Sequence, residues 1–149
     1  MATKVLMVCL GNICRSPLAE GIFRHLSNPT DFVVDSAGTA NYHTGAAPDP
    51  RSIAVAAKNG IDISNQKARQ LTQDDIAKFN HILVMDQQNL TDALALCNTQ
   101  EDRHKIELLT SASGLTASNV PDPYYGNKKG FDTVYELVYS CCEAWLSIH

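Results

Sequence analysis

A short apolar segment, followed at once by a glycine-containing loop and a helix start, constrains the fold of this chain most. Residues 4–9 (KVLMVC) form a compact run with β-branched side chains, which suits a buried strand. After the loop, Ser16 resembles an N-cap with Pro17 at the first helical position, and apolar residues recur at helical spacing as far as Leu26. The N-terminus is therefore predicted to be a strand–loop–helix unit.

The same alternation continues to the end of the chain. Further strands are predicted over residues 32–36, 81–85 and 106–109. Helices are predicted between them over residues 51–59 and 89–97, from a capping-box-like segment at 72–75, and along a C-terminal apolar stripe that comprises Phe131, Val134, Val138, Cys141 and Trp145. We therefore predict a single α/β domain spanning residues 1–149. It should contain a four-stranded parallel sheet flanked by helices on both faces, with the loop between the first strand and the first helix.

Charge and cysteine usage exclude several classes of function. The formal net charge is -4 and no run of Lys or Arg exceeds two residues, so neither nucleic acid nor a membrane surface is an expected partner. No secretory signal or membrane-spanning stretch is visible. The five cysteines are odd in number and lack paired Cys-x-x-Cys spacing, which disfavours a disulfide scaffold or a zinc site. A cytoplasmic location is expected.

The loop over residues 9–16 has the composition of a reactive anion site. Unpaired N–H groups at a helix start attract a phosphate-sized dianion, and Arg15 can hold two of its oxygens through a bidentate fork. The same positive field favours the thiolate form of Cys9. Glycine and asparagine tolerate the tight backbone that such a loop needs. The predicted phosphate-binding residues are Leu10, Gly11, Asn12, Ile13, Cys14, Arg15 and Ser16. The alternative is a core cysteine at a strand end beside a surface arginine.

The segment CLGNICRSPLAE resembles the phosphate-binding loop of the low-molecular-weight protein tyrosine phosphatases. Further motifs in the order of that family are DSAGT, PDPR, KARQL, MD and DPYYG. The resemblance implies hydrolysis of phosphotyrosine proteins and small aryl phosphates through a phosphocysteine on Cys9, without metal or cofactor, and inhibition by inorganic phosphate and other oxyanions. It also implies a monomer with weak self-association through the active-site face.

The resemblance also identifies a second catalytic group and the walls of the pocket. Asp122 matches the general acid of the family, which later acts as the base; taken alone, Asp-Pro is only a turn signal. Tyr124 and Tyr125 would flank the mouth of the site, and Tyr42 the opposite wall, although the first two could also be half-buried loop aromatics. Aromatic walls of this kind favour phosphotyrosine over the shorter phosphoserine.

The resemblance implies that four residues support the loop by hydrogen bonds, with Ser16 donating to the Cys9 sulfur: Asn12, Ser16, Ser36 and Gln66. Gln66 stands where the family usually has histidine, so we expect an altered network that lacks the titration of that histidine. Cys14 is either a small apolar filler or, as the family resemblance favours, the redox partner of oxidised Cys9. We interpret Cys97, Cys141 and Cys142 as structural, and assign no catalytic role to any histidine.

Three other functions remain as alternatives. Arsenate reductases of this fold need a relay of further cysteines, whereas residues 75–97 contain Cys97 alone. Protein-arginine phosphatases have threonine where this loop has Ile13, and an apolar residue there suits an aryl group better. A non-catalytic phosphate-binding module would not be expected to keep Cys9, Arg15 and Asp122 together.

Overall fold

A four-stranded sheet forms the centre of the molecule in the computed structural model, which describes residues 1–115 and 119–149. Within these residues the strands are β1 (Thr3–Cys9), β2 (Phe32–Gly38), β3 (His81–Val84) and β4 (Ile106–Leu108). Their spatial order is β2-β1-β3-β4, and every neighbouring pair is parallel. The predicted fold class is confirmed.

Seven helices connect and cover the strands in the described part of the chain. They are α1 (Arg15–Leu26), α2 (Pro50–Lys58), α3 (Gln73–Lys78), α4 (Gln87–Leu94), α5 (Gln100–Arg103), α6 (Leu109–Ala112) and α7 (Lys128–Ile148). None of these helices combines the length and the apolar character needed to cross a membrane.

Alternation along β1 divides the core between the two faces of the sheet. Val5 and Met7 pack with α1, α2 and α7, whereas Leu6 and Val8 pack with residues of α3 and α4. The predicted stripe of α7 is buried throughout, and the Trp145 ring lies 5.5 Å from that of Phe23. Every residue of β1 from Val5 onward is buried, as expected of a central parallel strand.

Helix ends agree with the sequence at two places and differ at three. The helix predicted over residues 89–97 is α4, which ends at Leu94, and Leu109, predicted to end the fourth strand, begins α6. Thr72 and Asp75 form the capping box of α3, and Gly60 has a φ of +80° just beyond α2. The prediction that Ser16 is the N-cap of the first helix is wrong. Helix α1 begins at Arg15 after Cys14, because the Ser16 hydroxyl is used inside the protein instead of at the helix end.

The strand order positions the functional loop. Strand β1 lies between β2 and β3, so its two neighbours are reached by connections that leave in opposite directions. In open α/β sheets ligands bind at such a switch point, beyond the carboxyl ends of the strands. Cys9 is the last residue of β1, and Asp86 follows β3 at the same edge.

Candidate active site

The loop after β1 bends tightly, so that Cys9 at its start and Ser16 at its end are in contact. Asn12 adopts a left-handed conformation with a φ of +57°, which asparagine tolerates better than most residues. Gly38 at the end of β2 lies against the loop, where an added Cβ atom would stand 2.7 Å from the carbonyl oxygen of Leu10. A side chain at position 38 would therefore push the loop outward.

The Cys9 sulfur lies at the base of the site with a hydroxyl beside it. Ser16 Oγ is 3.0 Å from Cys9 Sγ, and both residues are buried. Asn12 Nδ2 donates to Ser16 Oγ at 2.7 Å and to Ser36 Oγ at 3.0 Å. Of the four predicted supporting residues, Ser16 contacts the sulfur, and Asn12 and Ser36 are connected to it through Ser16.

Gln66 makes a different contact. Its Nε2 donates to the carbonyl oxygen of Pro17 at 3.1 Å, and its buried Oε1 has no hydrogen-bond partner among the described residues. We find no hydrogen bond from Gln66 to Asn12, Ser16 or Ser36 in this part of the chain. The third connection of Asn12 is instead the backbone N–H of Arg69, which donates to Asn12 Oδ1 at 3.1 Å.

Both terminal nitrogens of the Arg15 guanidinium have partners. Nη1 donates to Asp86 Oδ2 at 2.6 Å and to the carbonyl oxygen of Val120 at 3.1 Å, and Nη2 lies 3.5 Å from Asp122 Oδ2. Its buried Nε has no hydrogen-bond partner within residues 1–115 and 119–149. A buried donor without a partner is costly, and an anion in the adjoining cavity would satisfy it.

A cavity opens above the sulfur and collects most of the predicted site residues. Its lining comprises Cys9, Leu10, Gly11, Ile13, Cys14, Arg15, Tyr42, His43, Asp122, Tyr124 and Tyr125. Tyr124 and Tyr125 meet edge to face with their ring centroids 4.9 Å apart, and Tyr42 is 72% exposed. The three predicted wall residues therefore surround the same opening.

The loop that carries Asp122 is fixed to α2. Arg51 donates to the carbonyl oxygens of Tyr124 and Gly126 at 2.9 and 3.2 Å, and its guanidinium also pairs with Asp49. Asp122 Oδ1 accepts a hydrogen bond from the Tyr124 backbone N–H at 3.1 Å. These contacts orient the Asp122 carboxyl group at the rim of the cavity, within reach of Arg15.

Burial raises the pKa of one cysteine in the loop and of two cysteines in the core. Burial, together with the negative charge of Asp49, raises the pKa of Cys14 to about 12. Cys14 is therefore a neutral thiol near pH 7. Cys141 and Cys142 are buried in the core, where desolvation raises the pKa of both thiols.

The sequence did not identify several residues that complete the site. Asp86 was noted only within a matching dipeptide, yet it anchors Arg15 and also caps α4. Arg51 fixes the Asp122 loop, and His43 lines the cavity beside Tyr124. An acidic residue directly after a buried strand was the one available signal, since such residues lie at the ligand-binding edge of the sheet.

Comparisons with known proteins identify the family of this chain. The family model described as low molecular weight phosphotyrosine protein phosphatase matches residues 4–148. A relative of that name from Gallus gallus is 46% identical over 148 residues, which covers 96% of this chain and 93% of the relative. The chain belongs to this phosphatase family, and it is an enzyme of the same kind.

Solved structures agree with this assignment. A protein tyrosine phosphatase from Entamoeba histolytica, with Hepes in its active site, superposes with a TM-score of 0.90 at 34% identity and covers 98% of this chain and 96% of that one. A Drosophila arginine phosphatase superposes with a TM-score of 0.91 at 33% identity, covering 98% and 97%. The shared fold therefore extends over nearly the whole chain.

Proposed function

We propose that this enzyme hydrolyses phosphotyrosine and aryl phosphate monoesters through a phosphocysteine on Cys9. The observation that carries the proposal is a cavity lined by both Cys9 and Arg15, whose Nε has no hydrogen-bond partner among the described residues, with Ser16 Oγ 3.0 Å from the sulfur. A nucleophile, an unsatisfied cationic donor and a carboxyl group at the rim are the groups that phosphoryl transfer to sulfur requires.

In the first step the Cys9 thiolate attacks phosphorus and an S–P bond forms. The bond from phosphorus to the phenolic oxygen breaks, and Asp122, as a carboxylic acid, gives its proton to that oxygen. Arg15 and the amides of residues 10–16 hold the phosphoryl oxygens during the transfer. The Ser16 hydroxyl donates to the sulfur while it carries negative charge.

In the second step water attacks the phosphocysteine. The Asp122 carboxylate, now a base, takes the proton of that water as the S–P bond breaks. Inorganic phosphate leaves, Cys9 is again a thiolate, and Asp122 is again protonated. Arginine and the backbone amides provide the positive field for both steps. Inorganic phosphate and similar oxyanions should accordingly inhibit by occupying the same loop.

The walls of the cavity indicate the substrate class. Tyr42, Tyr124 and Tyr125 surround the opening, and Ile13 adds an apolar surface close to the sulfur. Aromatic faces of this kind stack on an aryl ring. The shorter side chain of phosphoserine would not bring its phosphorus to Cys9. We therefore propose phosphotyrosine-containing proteins as the substrates, in the reducing cytoplasm where five free thiols persist.

The test is metal-free hydrolysis of p-nitrophenyl phosphate and of a phosphotyrosine peptide between pH 4.5 and 8, by the wild type and Cys9→Ser. Turnover by the wild type should be lost in Cys9→Ser, which should still bind phosphate. Trapping of a phosphorylated Cys9 by acid quench would identify the intermediate. Turnover that persists in Cys9→Ser would overturn the proposal.

Phosphoarginine is the second substrate to measure, because a solved arginine phosphatase shares this fold. The P–N bond of phosphoarginine would break in place of a P–O bond, and the guanidinium would have to pass Ile13 and the tyrosines. We expect kcat/KM for the phosphotyrosine peptide to exceed that for phosphoarginine. The reverse ratio would assign the enzyme to arginine phosphatases instead.

A further inference from the structure

Glu20 is a buried carboxylate that the proposed reaction does not use. It lies on α1 outside the cavity lining, and its side chain is only 8% exposed. Both of its oxygens accept hydrogen bonds: Oε1 from Ser36 Oγ at 2.6 Å and Oε2 from Arg24 Nη2 at 2.7 Å. Buried carboxylates are almost always paired, and Glu20 has a partner at each oxygen.

A continuous chain of hydrogen bonds connects Glu20 with the nucleophile. It runs from Glu20 to Ser36, then to Asn12, Ser16 and finally Cys9, with separations of 2.6, 3.0, 2.7 and 3.0 Å. An ionised carboxylate only accepts, so the Ser36 hydrogen points to Glu20 and the Ser36 oxygen is left to accept from Asn12.

Asn12 donates to both serines and so determines which atom of Ser16 is left to donate. Its Nδ2 has two hydrogens, one for Ser36 and one for Ser16. Because the Ser16 oxygen accepts from Asn12, the single Ser16 hydrogen is free to be donated. Its two acceptors are Cys9 Sγ at 3.0 Å and the carbonyl oxygen of Ala37 at 3.5 Å, and the shorter contact with a charged sulfur is the stronger.

The competing arrangement is an Asn12 amide turned by half a rotation. Its oxygen would then accept from both Ser36 and Ser16, and the Ser16 hydrogen would be withdrawn from Cys9. Two contacts oppose this rotation: the Arg69 N–H, which needs an oxygen opposite it, and Glu20, which takes the Ser36 hydrogen.

We propose that Glu20 is a positioning residue that fixes the proton direction along this chain, so that Ser16 donates to the Cys9 thiolate. Arg24 pairs with Glu20 and keeps its carboxylate in place, and it also donates to the carbonyl oxygen of Val34. The charged and titratable groups that line the cavity with Cys9 are Arg15, His43, Asp122, Cys14 and the three tyrosines, and none of them changes in the test below.

The test compares Glu20→Gln with Glu143→Gln, which removes the same charge from an exposed position of α7. A glutamine amide can donate to Ser36, which removes the fixed direction. The measurement is the rate of alkylation of Cys9 by iodoacetamide against pH, with the labelled cysteine identified by peptide mass. In Glu20→Gln the midpoint should move up by about one pH unit and the rate near pH 6 should fall roughly tenfold, the scale of one charge-assisted hydrogen bond. Glu143→Gln should match the wild type.

A double-mutant cycle with Ser36→Ala separates proton direction from general packing. If Glu20 acts through Ser36, Glu20→Gln should add almost nothing in the Ser36→Ala background. Additive shifts, or an unchanged midpoint in Glu20→Gln, would overturn the proposal. If Glu20→Gln does not fold, Ser36→Ala provides the test instead, and an unchanged midpoint in folded Ser36→Ala would overturn the proposal.

The inference rests on the proposed role of Cys9, but different measurements would contradict the inference and the proposed function. Alkylation needs no turnover, so its pH profile reports the state of the sulfur even in the absence of substrate. Loss of the proposed function would appear as turnover in Cys9→Ser, whatever the alkylation profile of Glu20→Gln.

Discussion

Nη1 of Arg15 lies 2.6 Å from Oδ2 of Asp86, a residue 71 positions away in the sequence. The contact holds one edge of the guanidinium against the residue that caps α4 and leaves Nε without a partner among the described residues. Arg15 is itself only 2% exposed, so its orientation is set by protein atoms before any anion arrives. Such preorganisation is a large contribution to stabilising charge in a transition state.

We predict that Asp86→Asn lowers kcat/KM for p-nitrophenyl phosphate roughly tenfold. Asparagine caps helices as well as aspartate does, so α4 should persist while the charged anchor of Arg15 is lost. Removing a negative charge near the phosphate acts in the opposite direction, and we expect the loss of orientation to outweigh it, because a charge-assisted hydrogen bond contributes about 1.5–3 kcal/mol.

Steady-state kinetics together with the inhibition constant of inorganic phosphate check this prediction. Asp74→Asn, at an exposed position of α3, is the matched control and should leave both unchanged. Equal or higher kcat/KM in Asp86→Asn would show that charge near the phosphate matters more than the orientation of Arg15.

Asp122→Asn should reduce kcat/KM most for esters with poor leaving groups. Loss of a positioned acid costs about 10²–10⁴-fold when the leaving oxygen needs a proton, and less when it leaves as a stable phenoxide. Phenyl phosphate and p-nitrophenyl phosphate provide the comparison. The alkaline decline of the wild-type rate should also disappear. A uniform reduction for both esters, with that decline intact, would assign the acid to another group.

Inactivation by peroxide should be more fully reversible when Cys14 is present, because a disulfide prevents further oxidation of Cys9. Hydrogen peroxide would oxidise the Cys9 thiolate to a sulfenic acid, and the Cys14 sulfur would then displace water to form a disulfide. Because the pKa of Cys14 is raised to about 12, this closure should become faster as pH rises from 6 to 8.5. The measurement is activity recovered by dithiothreitol, with the loss of two hydrogens followed by mass spectrometry. Inactivation of the wild type without the loss of two hydrogens would exclude the disulfide, and full recovery in Cys14→Ala would show that Cys14 does not protect Cys9 from further oxidation.

The unfolding free energy should fall between pH 7 and pH 5 in part because of His81. Burial, assisted by the neighbouring His149, lowers the pKa of His81 below 6.5, and Glu107 opposes this only weakly. The unfolded chain then binds more protons than the folded chain as pH drops through 6.5, so stability is lost on acidification. Hydrogen bonds from Arg51 lower the pKa of Asp49, so this carboxylate stabilises the fold above its ordinary pKa of 3.8, and its contribution is lost only as the pH falls below that value, through the lowered pKa.

Urea unfolding at several pH values measures this effect. His81→Gln should flatten the dependence between pH 7 and pH 5, whereas His104→Gln, at an exposed position, should retain the wild-type slope. An unchanged slope in His81→Gln would mean that other groups carry the acid sensitivity.

Local patterns were sufficient for the fold and for the chemistry of the loop. The alternation of apolar runs with amphipathic segments predicted four parallel strands, and the capping box at Thr72 was correct in detail. The loop from Cys9 to Ser16 is contiguous, so its composition alone indicated an anion site. The placement of Cys9 at a strand end is likewise a local property.

Contacts between distant segments could not be predicted in the same way. Ser16 is predicted both to cap a helix and to donate to the Cys9 sulfur; its hydroxyl lies 3.0 Å from that sulfur and does not cap α1. Gln66 aligned with a supporting position, but its amide reaches Pro17 instead of Asn12.

What the sequence determined by itself is therefore the reactive groups of the loop and the order of the four strands and the five longer helices, since these depend on neighbours along the chain. Only the tertiary structure decided which groups orient them: Asp86 and Val120 on Arg15, Arg69 on Asn12, and Glu20 on Ser36. The physical reason is that hydrogen-bond direction depends on which polar atoms share a buried space. That is settled only when residues from separate strands and helices pack at one edge of the sheet.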